Sequence, residues 1–322
     1  MGRLAIVIPS VGSVEALEGT LLSVLENRPA GSEVIVVHGR PYDDTYQLEG
    51  EVRLIKAPAR SSLIDCANLG FRESTADVVH LLAAGCRVQS GWTDGVMRHF
   101  SDPRVAVVAP MLLDDREPTH ALAASVSYGI GGTRKSVMRL VADVRDAGVS
   151  PILAASVVAV FYNRVTLSTV GYLSTEVGAD LADIDLGLLL RHAGFTSIID
   201  PGLRVRAPDG PLEQLSAFRS AMHAERLFWR NAPLLGWLKS LAAHPWAVAG
   251  DIASHTPSLL PNLAGRMIGA AMIGTARRHY QRLMDLRNMA PLPATVATRQ
   301  VRMDRPHAGS AARKASQPVR AA

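Results

Sequence analysis

Short apolar runs alternate with helical patterns through residues 4–199, and this alternation restricts the possible folds more than any other feature of the sequence. Leu4–Ile8, Glu33–Val37 and Val105–Ala109 have the length and composition of buried strands. The segments between such runs place apolar residues at helical spacing, as Ser62–Glu73 does. Because strands that alternate with helices usually pair in parallel, the sequence predicts an α/β domain whose mostly parallel, Rossmann-like sheet is covered by helices on both faces.

The stretch Val78–Val88 marks the place where we expect a ligand site. It has the pattern of a buried strand up to Leu82, and Ala83-Ala84-Gly85 then breaks the pattern. In an open α/β sheet the carboxyl ends of the strands form the edge where ligands bind. No acid stands at the end of this strand, so a ligand here would have to be held without a carboxylate from it.

Composition limits the cellular setting. Two cysteines, Cys66 and Cys86, are too few for a disulfide framework or a zinc site, and their apolar surroundings predict buried, reduced thiols. The first residues have a strand pattern and not that of a signal peptide. No proline-free apolar run reaches the ~18 uncharged residues of a spanning helix. We therefore expect a cytoplasmic protein, placed at most peripherally at the inner face of the membrane.

The net charge of +5 has a local origin. Residues 291–322 contain six basic residues and one acid, so residues 1–290 are formally neutral. The basic pI therefore reports a tail and not a nucleic-acid-binding face. We expect three parts: a domain over residues 1–211, a helical appendage over 212–290, and a disordered basic tail over 291–322.

Two segments leave alternatives open. In Leu112–Ser150 the pattern weakens; Ser136–Val144 favours a helix, and the segment is either a pocket-shaping insertion or a plain loop. The appendage combines Leu-rich faces with basic residues, which suits either a membrane interface or simple packing on the first domain. The residues concerned are Trp229, Trp237 and Trp246, with Lys239, Arg266, Arg277 and Arg278.

Six short motifs occur in a recognisable order and spacing. They are Ile-Val-Ile-Pro-Ser at 6–10, Val-Val-His-Gly-Arg-Pro-Tyr-Asp-Asp-Thr at 36–45, Ala-Asn-Leu-Gly-Phe at 67–71, Val-Gly-Tyr-Leu at 170–173, Ala-Asp-Ile-Asp-Leu at 182–186 with Ala-Gly-Phe at 193–195, and Phe-Trp-Arg-Asn at 228–231. Together they resemble the family-2 glycosyltransferases, which have the A-type glycosyltransferase fold. The resemblance covers roughly residues 4–232, and it implies this fold with a C-terminal helical appendage.

The resemblance also implies an activity and a set of site residues. It implies transfer of a sugar from a nucleotide-sugar donor to a saccharide or lipid-linked acceptor, with inversion, in assembly of a cell-envelope polysaccharide. Asp183 stands where the family has its catalytic base; Asp185 is the alternative base, and a helix-capping role for Asp183 is the alternative function. The implied donor-binding residues are Pro9, His38, Asp43, Asn68 and Gly85, to which we add Arg206.

Several of these donor positions also have plain structural explanations. Asp43 is typical of a turn, His38 of a strand end, and Asn68 of local turn geometry.

The departures from the family pattern fall at its metal site. Ala83 and Gly85 replace its metal-site acids, His38 replaces the aspartate that holds the nucleotide base, and Leu189 replaces an arginine. Residues 204–207 lack the histidine that often completes the metal site. Because Mg²⁺ and Mn²⁺ need carboxylate oxygens, we predict no metal ligands and a weak or absent metal dependence.

Without a metal, two outcomes are open. Arg87, Arg204 or Arg206 neutralises the donor phosphates, or the site binds no nucleotide-sugar and these arginines are solvated surface. The second outcome corresponds to a catalytically inactive family member that serves as a binding or scaffold subunit. A third possibility, an unrelated Rossmann-type nucleotide binder, is disfavoured because no Gly-x-Gly-x-x-Gly follows the first strand.

Overall fold

The computed structural model describes residues 2–44, 47–48, 50–114, 120–132, 134–208, 215–254, 258–271, 279–281 and 283–284. The first half contains β1 (Leu4–Ser10), α1 (Val14–Asn27), β2 (Glu33–His38), β3 (Arg53–Lys56), α2 (Leu63–Glu73), β4 (Val78–Leu82), α3 (Val96–His99), β5 (Val105–Asp114), β6 (His120–Tyr128) and β7 (Arg134–Leu140). The second half contains α4 (Val141–Ala147), β8 (Ser150–Ile152), β9 (Ala159–Asn163), α5 (Arg164–Val170), α6 (Ala182–His192), β10 (Thr196–Ala207), α7 (Ala217–Leu235), α8 (Trp237–Ser254) and α9 (Leu259–Ala271).

Ten strands of the described residues form one sheet in the order β3-β2-β1-β4-β9-β5-β10-β8, and the hairpin β6–β7 extends from β5. β1, β2, β3 and β4 are parallel, and β10 is parallel to β5. β9 lies antiparallel between β4 and β5. The α/β class predicted from the sequence is confirmed, and the sheet is mixed, with its parallel part on the amino-terminal side.

The core lies on both faces of this sheet because successive strand residues point to opposite sides. On one face Ile6 and Ile8 of β1 pack in the same cluster as Leu17 and Leu21 of α1. On the other face Val7 packs with residues of α2 and of α6. Every residue of β1 is buried, as the continuous apolar run predicts for a central parallel strand.

Close packing of α2 on the sheet depends on a glycine. A Cβ atom at Gly70 would lie 2.4 Å from Cγ1 of Val7 and 3.1 Å from Cγ2 of Val37. The segment Ala67–Phe71, which the family resemblance associates with a turn, lies in the middle of helix α2, as the periodicity of Ser62–Glu73 predicts.

One prediction of secondary structure was wrong. The segment predicted as a helix over Ser136–Val144 is strand β7 up to Leu140, and α4 begins only at Val141. β6 and β7 pair with each other across the turn at residues 129–132. Strand formation here depends on that pairing, which the pattern of one segment alone does not show.

The C-terminal helices belong to the same compact unit as the sheet, which spans residues 1–291. α7 contacts α6, and α9 packs closely along α7 at Gly265 and Gly269. The predicted boundary at residues 211–212 and the predicted tail over 291–322 lie outside the described residues. In the described part of the chain, no helix is long and apolar enough to cross a membrane.

Both cysteines are buried and neither forms a disulfide, as predicted. Burial raises the pKa of Cys86 to about 12, so this thiol stays protonated and unreactive at neutral pH.

Candidate functional site at the carboxyl edge of the sheet

The sheet topology brings five of the predicted site residues to one edge. β1, β4, β5 and β10 run in the same direction, so their carboxyl ends lie together. Pro9 is near the end of β1, His38 ends β2, Gly85 follows β4, and Arg206 is near the end of β10. α6 leads back to the start of β10, so Asp183 in its first turn also lies towards this edge.

Pro9 and His38 are neighbours through the register of β1 and β2. Ser10 pairs with His38, and the Gly39 N–H donates to the Ser10 carbonyl over 2.9 Å. The His38 ring is half-buried, and its Nδ1 lies 2.8 Å from the carbonyl oxygen of Arg40. This contact favours the tautomer with the proton on Nδ1, so Nε2 is the ring nitrogen left to accept a hydrogen bond from a ligand.

The loop after β4 is a closed turn that α1 holds in place. Gly85 adopts φ +100°, and its N–H donates to Thr20 Oγ1 over 2.8 Å and lies 3.1 Å from the Ala16 carbonyl oxygen. The Thr20 hydroxyl in turn donates to the Cys86 carbonyl over 2.8 Å. A Cβ at Gly85 would lie 3.2 Å from Cγ of Pro208. The backbone and the surrounding atoms therefore favour glycine here over any residue with a side chain.

Ala83 and Gly85, the described residues that stand in place of the metal-site acids, do not fit a divalent cation. Ala83 is buried, a side chain at Gly85 would be strained and would crowd Pro208, and neither residue supplies a hard oxygen ligand from its side chain. Across the described residues, no three His, Cys, Asp or Glu side chains converge as a metal site. We therefore derive no step of a reaction through a metal.

Three arginines lie in the segment after β4 and near the carboxyl end of β10. Arg87 and Arg206 form an antiparallel bridge, with N–H to carbonyl distances of 2.8 and 2.9 Å. Directly opposed residues share a face, and Arg204, two residues before Arg206, shares it as well. We call Arg87, Arg204 and Arg206 the arginine strip. A guanidinium group can donate two parallel hydrogen bonds to the oxygens of one phosphate group.

Asp183 is buried in the first turn of α6, with its side chain 1% exposed. Its Oδ1 accepts from the Ile184 N–H over 2.7 Å, and its Oδ2 accepts from Arg134 Nη2 over 3.1 Å. Arg134 begins strand β7, so the β6–β7 hairpin reaches over the start of α6. Arg134 therefore occupies one of the acceptor sites of the Asp183 carboxylate.

Burial raises the pKa of Asp183 from 3.8 to about 6, although Arg134 and the Ile184 N–H both favour the charged form. The nearby carboxylate of Asp180 contributes further to the rise. A carboxyl group with a pKa near neutrality is suited to general base catalysis, because it is ionised at neutral pH yet still binds a proton.

Asp185, the alternative base, contacts two residues of α7. Its Oδ1 accepts from Nδ2 of Asn231 over 3.1 Å and lies 3.0 Å from Nε of Arg230, both on α7. The Arg-Asn pair of the motif at 228–231 thus anchors α7 to α6. Asp185 thus has one hydrogen bond and one ion pair from α7, and its role as the alternative base stays a prediction.

Asn68 and Asp43 differ from the other predicted donor-binding residues. The Asn68 amide donates to the Leu173 carbonyl over 2.8 Å and accepts from the Leu173 N–H over 3.1 Å, so it links α2 to the loop after α5. This explains the asparagine in structural terms, and a donor contact by Asn68 stays a prediction. Asp43 is exposed in the loop after β2, where its predicted contact with a donor also stays a prediction.

Sequence reasoning missed Arg134, which is the closest charged partner of Asp183. It lies in the insertion over Leu112–Ser150, whose weak pattern gave no reason to select one residue. It also missed Thr20, because nothing in the periodicity of α1 shows that its hydroxyl holds the turn after β4. The pair of Arg230 and Asn231 carried a usable signal in the motif at 228–231.

A surface cleft of about 870 Å³ lies elsewhere, at the opposite edge of the sheet. Residues at the amino ends of β2 and β3 line it, and Arg28 and Glu51 form an ion pair there at 3.2 Å. Its walls thus come from the edge that faces away from Asp183 and the arginine strip, so we do not assign it to the candidate site.

No protein-family model matches the chain. Two curated proteins are similar over short segments. The Probable N-acetylgalactosaminyltransferase 9 of Caenorhabditis elegans is 34% identical over 83 residues, which are 26% of this chain and 14% of that protein. The Probable polypeptide N-acetylgalactosaminyltransferase 8 of Homo sapiens is 32% identical over 73 residues, 23% of this chain and 12% of that protein. The similarity thus spans a small part of either relative's length.

Solved structures resemble the chain over most of its length, and GalNAc-T7 and PcManGT are two of them. GalNAc-T7, crystallised with UDP, GalNAc and Mn²⁺, has a TM-score of 0.55 and 13% identity, and the match covers 70% of this chain and 48% of that one. The mannosyltransferase PcManGT from Pyrobaculum calidifontis, in complex with GDP-Man and Mn²⁺, has a TM-score of 0.51 and 17% identity, and the match covers 88% and 86%. The chain therefore has the A-type glycosyltransferase fold, as the motifs predicted.

Proposed function

We propose that this protein is a glycosyltransferase that moves a sugar from a nucleotide-sugar donor to a saccharide or lipid-linked acceptor, with inversion at the anomeric carbon. One observation carries the proposal. The topology places Asp183, a buried carboxyl group whose pKa is raised to about 6, towards the same edge of the sheet as the arginine strip. The similarity to segments of two N-acetylgalactosaminyltransferases supports transferase chemistry.

In the proposed reaction the ionised Asp183 takes the proton of an acceptor hydroxyl. The oxygen of that hydroxyl attacks the anomeric carbon of the donor as the bond from this carbon to the diphosphate oxygen breaks. The nucleoside diphosphate leaves with the electron pair of that bond. General base catalysis of this kind contributes about 100- to 10,000-fold to a rate.

The arginine strip supplies the positive charge that the departing diphosphate needs. Each guanidinium group can donate two parallel hydrogen bonds to phosphate oxygens, and its charge does not depend on pH in the neutral range. On this basis we propose that donor binding and leaving-group stabilisation depend weakly or not at all on Mg²⁺ or Mn²⁺. Pro9, His38, Asp43, Asn68 and Gly85 remain the proposed residues around the rest of the donor.

The hairpin β6–β7 is the element that we expect to move during the reaction. Arg134 bonds to the carboxylate that must meet the acceptor, so acceptor binding and this contact compete. A shift of the hairpin would free Asp183 and, by removing a positive neighbour, make the carboxylate a stronger base.

The test is release of nucleoside diphosphate from a panel of nucleotide-sugars in the presence of oligosaccharides and polyprenyl-phosphate-linked sugars. Asp183→Asn should lower the rate about 100- to 10,000-fold while calorimetric affinity for the donor stays unchanged. Asp143→Asn serves as the matched control, because Asp143 is an exposed acid in the first turn of α4. Unchanged release by Asp183→Asn would exclude Asp183 as the base.

A second candidate function is supported by the burial of Asp183. A carboxylate that is almost inaccessible and bonded to Arg134 also suits a catalytically inactive member of the fold, which would bind partners in polysaccharide or glycolipid assembly at the cell envelope. Donor binding without any turnover, unaffected by Asp183→Asn, would favour this function. A peripheral location at the inner face of the membrane fits either candidate.

A further inference from the structure

Helices α8 and α9 have an inverted distribution of polarity, with polar residues buried and apolar residues exposed. In α8 and α9 the buried residues are polar or glycine: Ser240, His244, Asn262, Gly265 and Gly269. The exposed residues of both helices are apolar or small, apart from Lys239. We call this exposed set the α8–α9 outer face; it comprises Trp237, Leu238, Ala242, Pro245, Trp246, Ala249, Gly250, Ala253, Leu259, Leu260, Pro261, Leu263, Ala264, Met267, Ile268 and Ala271.

The inward polar groups explain why these helices turn apolar residues outward. Glu225 of α7 accepts from Nε2 of His244 over 3.0 Å and from Nη1 of Arg266 over 3.1 Å. Arg266 also donates to Asp251 over 2.7 Å. Because a buried carboxylate needs such partners, α8 and α9 are oriented by this network, and their apolar residues are left on the opposite side.

The exposure on the outer face is large for residues of this type. Trp246 is 81% exposed, Leu238 80%, Leu260 75% and Met267 67%. Ordinary surface helices of the same protein behave differently: α1 buries Leu17, Leu21 and Val24 and exposes acids beside Leu22. A concentration of exposed large apolar residues on one part of a surface marks a docking site.

Charge and composition identify the occupant as a lipid surface with anionic headgroups. The outer face contains no acid, Lys239 is its exposed charged neighbour, and residues 291–322, which follow in the sequence, carry six basic residues and one acid. Tryptophan beside leucine, with lysine at the margin, is the composition of helices that lie in a membrane interface. Neither helix is long and apolar enough to span the bilayer, so binding would be in the interfacial plane.

We infer that the α8–α9 outer face binds the surface of an anionic membrane. This inference goes beyond the proposed glycosyl transfer and does not depend on it, because vesicle binding needs neither donor nor acceptor. The donor site lies at the carboxyl edge of the sheet, and donor affinity measured without lipid tests that site alone.

The experiment is flotation of the chain of residues 1–322 with vesicles of phosphatidylcholine alone and of phosphatidylcholine mixed with phosphatidylglycerol. We expect saturable binding to the mixed vesicles that weakens as salt is added, because charge attraction to headgroups is screened. The double variant Trp246→Glu/Leu260→Glu should lose about 100-fold in partition coefficient, because two large apolar side chains no longer leave water.

The matched control is Leu22→Glu/Val165→Glu, which changes two residues that are 62% and 61% exposed on α1 and α5. It should bind vesicles as the natural protein does. Because all four positions lie on the surface, both variants should fold, which circular dichroism verifies. As a second measurement, brominated lipid should quench the fluorescence of the natural protein more than that of Trp246→Phe.

Three results would overturn the inference. The first is absence of binding to either kind of vesicle. The second is an equal loss of binding in the control variant. The third is a protein that does not bind vesicles and is a dimer in light scattering, which Trp246→Glu/Leu260→Glu converts to a monomer. The last result would assign the outer face to a second copy of the chain.

Discussion

The raised pKa of Asp183 leads to a prediction that needs no substrate. The rise from 3.8 to about 6 corresponds to about 3 kcal/mol of preference for the protonated carboxyl group in the folded protein. A carboxyl group with a raised folded-state pKa binds more protons when folded than when unfolded, between these two pH values. Its contribution to the free energy of unfolding is therefore full below about pH 4 and is lost as pH rises to about 6.

We expect Asp183→Asn to remove this dependence, because asparagine does not titrate. The difference in unfolding free energy, natural protein minus variant, should fall by about 3 kcal/mol between about pH 4 and pH 6 and stay level above that range. The assay is urea unfolding followed by circular dichroism at a series of pH values. Arg134→Gln should extend the fall to higher pH, because the guanidinium group that favours the charged form is gone.

The unfolding free energy of the variant is subtracted because His80 titrates over an overlapping pH range, and its contribution to that free energy has the opposite pH dependence. This histidine is fully buried, and desolvation lowers its pKa from 6.5 to about 3. It makes the protein more stable as pH rises, in both the natural protein and the variant, and so cancels from the difference. A difference that is flat with pH, or that increases with pH, would refute the reasoning and would mean that the ion pair with Arg134 outweighs burial.

Three further predictions concern single residues. Gly85→Asp should create no Mn²⁺ site in calorimetry and should cost about 1–3 kcal/mol in urea unfolding, because the residue at 85 has φ +100° and a crowded Cβ position; Mn²⁺ binding without loss of stability would contradict this. Asn231→Ala should cost about 1–3 kcal/mol by leaving the buried Asp185 short of a donor, whereas Asn27→Ala, at a half-buried site on α1, should cost less. His80→Leu should make unfolding less sensitive to acid below about pH 6, as circular dichroism during acidification would show; an unchanged acid transition would mean that His80 does not limit acid stability.

The parts of the fold that the sequence predicted are those with strong local periodicity. The apolar run of β1 and the helical spacing of α2 each describe a buried element by itself. The β6–β7 hairpin could not be predicted in this way, because its stability comes from pairing between two segments. The position of β9 between β4 and β5 likewise depends on pairing between strands that are distant in the sequence. The antiparallel pairing of β9, of β8 and of the hairpin makes the sheet mixed.

For the site, the motifs identified positions but not environments. Asp183 was selected from a short acidic motif, yet its burial and its bond to Arg134 depend on a hairpin with no motif of its own. The loss of acids at 83–85 was evident from the sequence. The reason that glycine is favoured at position 85, a left-handed turn held by Thr20, required the structure.

Calorimetric titration with nucleoside diphosphates and nucleotide-sugars, once with Mn²⁺ and once with a chelator, tests the central claim most directly. The claim is that the carboxyl edge is a donor site whose charge comes from the arginine strip. We expect saturable binding that survives the chelator and weakens about 10- to 100-fold in Arg206→Gln, the expected cost of one charge-assisted contact. Arg104→Gln, at the amino end of β5, should bind normally. Binding that requires Mn²⁺, or no binding under either condition, would contradict the account.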